Sequence, residues 1–360
     1  MENIIITGVN GFIGSHLIDF LAQEKLDKKF NIFGIEMPNC HLKNLKQYFD
    51  GDLDDIHEKK SNYLKREILI PTNFKNFNIL ECNLKDRELI EQIIKKIKPK
   101  YIFHLGAQPL IKPSWKDPVN TIETNVIGTI NIFEPIKKYK LKTKVIIPCT
   151  ATEFGTSAKI NRPLRETDPL LAVHPYGISK IAVELLARQY YINFGIEAVT
   201  LRFFNQTGPR KSVGAATDFT RKVAQIDLGL SEPIMEVGNL DAYRDFTGIK
   251  DTIQALWLAA IKGEPGQTYH VCSGKKIHIR NLLNQVLTFS KKKIKVIENL
   301  PRKTREFDED SIIGDNSKIT KELGFKITQS IQEVLKDMYD YWIGYYLDDA
   351  DLHSQENKNG

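Results

Sequence analysis

Cysteine is scarce in this chain. Its 360 residues hold four, Cys40, Cys82, Cys149 and Cys272, with no CxxC pair among them. That spacing excludes a disulfide framework or a thiolate zinc site as the organising principle, and no metal is expected. Long apolar runs are missing as well: no stretch approaches the ~18 uninterrupted apolar residues that a membrane span needs. The opening MENIIITG lacks the basic start and apolar core of a leader, so a cytoplasmic protein without a membrane partner is the expectation. Nor is charge of one sign concentrated anywhere. The net +6 comes from lysines dispersed among acids, the pattern of a solvated surface rather than of a nucleic-acid stripe. Even the acid-rich DGDLDDIHEKK fails as a calcium loop, because Asp55 and Ser61 stand where an EF-hand requires glycine and glutamate.

What the chain does contain is an ordinary globular composition, 41% hydrophobic and 27% charged, arranged in a regular alternation. NIIIT reads as a strand, GVNGFIG as a tight turn and SHLIDFLAQEK as an amphipathic helix. Further apolar runs, NIFGIE, YIFHLGA, KVIIPCT and AVTLRFFN, are separated by helical stretches such as RELIEQIIKKI and the segment from Thr121 to Tyr139. Buried strands alternating with helices predict an α/β fold, a Rossmann-type doubly wound parallel sheet covered on both faces. After Asn205 the rhythm shortens: strands at PIMEVG, QTYHVC and KIKVIE, and helices near 216–228, 250–261, 279–288 and 328–342, predict a smaller α/β lobe. The expected division is 1–203 with a return segment 239–264 for the large domain, 204–238 and 265–345 for the lobe, and a flexible tail at 346–360. Between Met37 and Leu80 no period is legible, and a surface insertion beside the adenosine end of a bound dinucleotide is expected.

Two patterns carry chemistry. Gly8, Gly11 and Gly14 sit at the turn into the first helix, where small residues let the backbone approach a pyrophosphate. Glu36 ends the next strand, where a carboxylate accepts from the ribose hydroxyls of NAD and repels the extra phosphate of NADP. The second pattern is HPYGISK. Tyr176 and Lys180 lie four apart at the start of a helical segment, so they share one face, and an adjacent ammonium brings a phenol toward the working range of an acid or base. Oxidising an alcohol or reducing a ketone needs a hydride partner and a proton partner of this kind.

Taken together, GVNGFIGSHL, HLGAQ, TNVIGT, CTATEFG and HPYGISK resemble, in order, the motifs of the extended short-chain dehydrogenase/reductase family of nucleotide-sugar epimerases, dehydratases and reductases. The resemblance implies that Tyr176 is the acid/base, that Lys180 holds the nicotinamide ribose and lowers the tyrosine's pKa, and that Thr150 hydrogen-bonds the sugar oxygen. It also implies cofactor contacts from Phe12 and Ile13 in the glycine turn, Asn83 and Leu84 at the adenine, Leu105, Gly106, Ala107 and Gln108 along the cofactor, Asn125 as a brace, and Phe203. The family commonly has aspartate where Asn83 stands. His104 reads equally as a hydrogen-bonded core histidine.

Later segments, FFNQTGPR, ATDFTRKVAQI, VGNLDAYRDF and KTREFDEDSIIGD, resemble GDP-mannose 4,6-dehydratases and GDP-4-keto-6-deoxymannose reductases, and imply Asn205, Lys222, Arg244 and Arg305 around a sugar nucleotide. Thr152 and Glu153 complete the substrate set. In those dehydratases the catalytic threonine is followed two places later by glutamate, whereas here Glu153 comes three places after Thr150, on the opposite face if the strand continues. The expectation is therefore reduction of a GDP-4-keto-6-deoxy sugar with NAD(H) favoured over NADP(H), by a homodimer or homotetramer. A dehydratase, a 4-epimerase with retained NAD, and a catalytically silent NAD-binding module are the alternatives.

Overall fold

Strand β1 (Glu2–Thr7) carries Ile4, Ile5 and Ile6, none with any exposed surface, so both of its faces are covered and it lies in the middle of a sheet. Burial of each isoleucine is worth about 2 to 3 kcal/mol. The computed structural model describes residues 1–49, 61–64, 67–71, 74–160, 162–298 and 311–356. After β1 come α1 (Phe12–Gln23) and β2 (Phe30–Glu36), then β3 (Ser61–Leu64), β4 (Glu67–Pro71), β5 (Phe77–Glu81), α2 (Arg87–Ile97) and β6 (Tyr101–His104). A long helical stretch follows in pieces: α3 (Ile111–Lys116), α4 (Pro118–Ile122), a π turn at Glu123–Ile127, and α5 (Gly128–Lys138). The large domain continues with β7 (Lys144–Thr150), α6 (Pro175–Phe194) and β8 (Ala198–Phe203).

Helix starts and stops follow the local chemistry. In α2, Leu89, Ile90, Ile93, Ile94 and Ile97 recur at helical spacing and are buried, and the Asp86 carboxylate accepts from Leu89 N at 3.1 Å to cap the first turn. The other large helix, α6, has Pro175 in its first turn, is capped by His174 Nδ1 accepting from Gly177 N at 2.8 Å, and ends at Gly195 in the left-handed region.

Beyond β8 lie β9 (Asn205–Thr207), α7 (Ala215–Asp227), β10 (Ile234–Glu236), β11 (Tyr243–Arg244), β12 (Phe246–Gly248), α8 (Ile249–Lys262) and β13 (Thr268–Val271). The chain finishes with β14 (Ile277–His278), α9 (Ile279–Leu287), β15 (Lys295–Ile297), β16 (Ser311–Ile312), α10 (Ser317–Leu323) and α11 (Ile331–Glu356). Strand order in the main sheet is β13-β8-β7-β6-β1-β2-β5-β4-β3, with β13 through β5 parallel and β4 and β3 added antiparallel at one edge. One apolar core, with Leu17 and Ile18 of α1 and Leu256 of α8, covers one face; the other face packs on α2, α5 and α6 through Ile93, Phe133 and Val183. A third core, with Val223, Leu282 and Leu335, belongs to the smaller lobe. No helix of the described residues is long and apolar enough to cross a membrane.

Three expectations about boundaries change. The region taken as an insertion ends too late, since Phe77–Glu81 is a regular core strand parallel to β2, and part of the remainder extends the sheet as β3 and β4. Thr268–Val271, assigned above to the lobe, closes the main sheet against β8, because Tyr269, His270 and Val271 have no exposed surface and need both faces covered. The supposed tail is helical through Glu356; Trp342 stacks with Tyr346, meets Tyr345 edge-on and has Arg221 of α7 over its ring, and α11 runs past the expected end near 342.

Candidate active site

The parallel order reverses at β1, with β2 on one side and β6 on the other, and the crevice outside the carboxyl ends there is where α/β sheets take ligands. At that end the backbone is tightly folded. Gly8 has φ of +67°, and a Cβ on it would stand 2.8 Å from the Gly106 Cα; one on Gly14 would stand 2.3 Å from the Gly8 carbonyl oxygen. Gly11 caps α1 without a side chain, so the amides of the first turn, which include Phe12, Ile13 and Gly14, face the crevice as an anion site. Glu36 is held rigidly beside them: its two oxygens accept from Asn10 N at 2.9 Å and Met37 N at 3.1 Å. Burial raises its carboxyl and these two hydrogen bonds draw it back. A side-chain-free anion cradle next to a fixed carboxylate fits the pyrophosphate and ribose of a nicotinamide dinucleotide.

Asn10, which sequence reasoning did not single out, ties that turn to the segment following β2. Its amide donates to His41 O at 2.8 Å, and its oxygen accepts from Asn44 N at 3.1 Å. Leu84 is buried against Gly106, and Asn83, half-buried, accepts from Lys85 N at 3.0 Å. His104 proves to be a core histidine: its ring nitrogens lie 3.0 Å from the Thr7 hydroxyl and 3.1 Å from the Thr129 hydroxyl, and burial lowers it to about 3, so it is neutral. Thr7 also accepts from Gly106 N at 2.9 Å, which fixes the start of the Leu105–Gln108 wall.

Asn125 sits in the π turn between α4 and α5. Its oxygen accepts from Gln108 N at 2.8 Å, while its amide donates to Gln108 O at 3.1 Å and to the Ser179 hydroxyl at 2.9 Å. Ser179 in turn donates to Tyr176 O at 2.7 Å. One asparagine therefore locks the wall to the first turn of α6. The π turn is what aims it, a device common at functional sites and invisible to a 3.6-residue period.

Thr150 ends β7, and its hydroxyl lies 3.2 Å from the Thr152 hydroxyl and on the side of the buried Tyr176 phenol. Lys180, buried one turn further along α6, donates to Pro148 O at 2.8 Å. The expectation that Lys180 lowers the tyrosine is not met: burial, then the Glu153 carboxylate, push the phenol above its usual value, and Thr150 is the group that draws it down. Lys180 itself is lowered by burial. At neutral pH the phenol is thus held in its acid form. Phe203, at the end of β8, is buried beside Thr150 in the sheet register.

Glu153 is not a surface of the cleft. The strand gives way to a 3₁₀ turn at Ala151–Glu153, in which the Glu153 carboxylate folds back to accept from Thr150 N at 3.1 Å and has no exposed surface. Its assignment to the substrate set is therefore corrected, and the reason is the turn rather than strand alternation. Arg202 of β8 lies 3.4 Å from Glu153 and 2.5 Å from Glu184 of α6. Cys149, Glu153 and Glu184 offer three possible metal ligands within 4.8 Å of one another, but the Arg202 guanidinium already supplies the positive charge there.

In the lobe, Asn205 donates through its side chain to Asp245 O at 3.1 Å, next to Arg244, which is half-buried and bonded to Tyr243 O at 2.7 Å. Asp245, missed by sequence reasoning although it lies in DAYRDF, is fully buried and accepts from Ser273 N at 2.7 Å, Gly274 N at 2.9 Å and Gly314 N at 3.2 Å. It gathers three loops around the Asn205–Arg244 pair. Lys222 is hydrogen-bonded to Ser231. Arg305 lies outside the described residues.

Comparison with known proteins agrees with this geometry. The family model for GDP-mannose 4,6 dehydratase matches residues 5–338. A GDP-6-deoxy-D-mannose reductase of Pseudomonas aeruginosa is 27% identical over 244 residues, covering 66% of this chain and 80% of its own. A GDP-mannose 4,6-dehydratase of Yersinia enterocolitica is 25% identical over 391 residues, covering 100% of this chain and 98% of its own. Among solved structures, RMD from Pseudomonas aeruginosa complexed with NADPH superposes with a TM-score of 0.75 at 21% identity, over 96% of this chain and 100% of that one. A UDP-glucose 4-epimerase of Thermotoga maritima, bound to UDP-glucose, does so with a TM-score of 0.77 at 25% identity, over 96% and 99%.

Proposed function

Since the chain belongs to the GDP-mannose 4,6-dehydratase family, a group of extended short-chain dehydrogenase/reductase enzymes, we propose that it reduces the C4 ketone of a GDP-4-keto-6-deoxy hexose. The observation that carries this reading is the turn after Thr150. The acid of that turn, Glu153, is buried and holds the Thr150 backbone, and the residue two places after Thr150 is the hydroxyl Thr152. Dehydration needs a group there to remove the C5 proton; ketone reduction does not.

The glycine turn and Glu36 would hold a reduced nicotinamide dinucleotide, which would supply the hydride. Tyr176 gives its phenolic proton to the former ketone oxygen, Thr150 orients that oxygen by hydrogen bonding, and Lys180 keeps the base of α6 fixed on β7. The resulting phenolate recovers a proton from solvent, so each turnover consumes one hydride and one proton. Glu36 favours NADH over NADPH. Asn205 and Arg244, with Lys222 and Arg305, are the groups for the diphosphate and base. We place the enzyme in the cytoplasm as a homodimer or homotetramer, supported by exposed Trp115, Val119 and Ile122 before the π turn and Ile178, Leu185 and Ile192 on α6.

The test supplies purified protein with GDP-mannose, and separately with its 4-keto-6-deoxy derivative, with and without NADH or NADPH, following products by mass spectrometry. Consumption of reduced cofactor with the keto sugar alone supports the reductase. Loss of water from GDP-mannose without added reductant would assign the dehydratase instead.

A further inference from the structure

Glu153 is an acid with no exposed surface at the end of the strand that carries Thr150. A buried carboxylate is costly unless its contacts repay it. Its Oε1 accepts from Thr150 N, and through that bond the chain leaves the strand and turns at Ala151–Glu153. The same turn brings the Thr152 hydroxyl to 3.2 Å from that of Thr150. On its other side Glu153 meets Arg202, which is bonded to Glu184 on the helix that bears Tyr176 and Lys180. The strand end and the helix of the proton donor are thus joined through Glu153–Arg202–Glu184.

We propose that Glu153 is a positioning residue that sets the Thr150–Thr152 hydroxyl pair against Tyr176 through its hydrogen bond to Thr150 N, its other oxygen facing Arg202. The inference rests on the reading of Thr150 and Tyr176 as the groups at the reacting carbon. It does not depend on whether that carbon is reduced or dehydrated. The charged and titratable groups facing Glu153 are Cys149 from β7, Arg202 from β8, and Tyr176, Lys180 and Glu184 from α6; burial, then Glu184, push its carboxyl up to about 8 against the opposing pull of Arg202, Thr150 N and Lys180.

Glu153→Gln keeps an oxygen for Thr150 N and loses the charge; Glu153→Leu fills the space and loses both. Amide hydrogen exchange at Thr150, which needs no substrate, is expected to stay slow in the Gln variant and to quicken at least about tenfold in the Leu variant. In turnover, Glu153→Leu should lower kcat about tenfold or more with KM for the sugar nucleotide nearly unchanged, while Glu153→Gln restores most of kcat. In both variants the alkaline limb of the kcat profile should move to lower pH, because a negative charge that raises the Tyr176 phenol is gone. Wild-type kcat and pH profile in Glu153→Leu, with unchanged exchange at Thr150, would overturn the proposal. If Glu153→Leu does not fold, Glu153→Ala takes its place, and unchanged exchange at Thr150 with wild-type kcat in that variant overturns the proposal. Wild-type protein silent toward every GDP-sugar would sink the functional reading, while the exchange experiment still decides the role of Glu153 in the turn.

Discussion

In the proposed reaction a phenol and a threonine hydroxyl make the chemical core of the site, and their surroundings set the protonation of the phenol. The Tyr176 phenol is pushed up by burial and by Glu153, so it is protonated and ready to donate across the neutral range. Replacing Tyr176 with Phe removes the donor and leaves the ring, α6 and the glycine turn in place. Turnover should fall by about a hundredfold to ten-thousandfold. Binding of the dinucleotide, followed by fluorescence titration, should change little. Loss of dinucleotide binding together with turnover would show that Tyr176 works chiefly as a structural contact.

Among the elements, the π turn matters most, because the helix through Thr121 and Tyr139 would otherwise run past the site without addressing it. The extra residue per turn lets Asn125 meet Gln108 on the wall and Ser179 on α6 at once. Asn125→Leu removes the partners of the half-buried Gln108 N and Gln108 O and one of the two bonds of the Ser179 hydroxyl, and should cost about 1 to 3 kcal/mol in urea unfolding. Turnover should drop in the surviving native fraction, since the first turn of α6 loses its tie. An unchanged unfolding midpoint would mean that water or neighbouring groups take over all three bonds.

For the molecule as a whole, the proposed function draws the dinucleotide crevice and proton donor from the large domain and the substrate's cations from the lobe. Burial in the large domain also leaves an acid sensitivity. His104 and His270 are each lowered to about 3, chiefly by burial, against about 6.5 in an unfolded chain. Unfolded protein therefore binds more protons than folded protein between these values, and stability, complete above about pH 6.5, is lost as pH falls toward 3. The expected loss is about 2 kcal/mol per histidine at pH 5 relative to pH 8. Urea midpoints at the two pH values should show it, and replacing both histidines by Gln should shrink the dependence, leaving the share of His16, lowered to about 4 by burial, and of His174. The same drop in that double variant would assign the sensitivity to other groups.

The sequence by itself determined the alternation of strands and helices, the glycine turn with Glu36, and the order of the Thr150 and Tyr176 motifs. Those are local facts: apolar runs, a period of 3.6, spacing of four, and glycines whose positive φ or close approach admits no side chain. Only the tertiary structure decided the rest. That Phe77–Glu81 and Thr268–Val271 join the main sheet depends on long-range pairing with β2 and β8. The π turn that aims Asn125 and the 3₁₀ turn that buries Glu153 depend on hydrogen bonds to distant or folded-back groups. Asp245 shows the difference most plainly, because its neighbours in sequence are Arg244 and Phe246, and its partners Ser273, Gly274 and Gly314 come together only when the lobe folds.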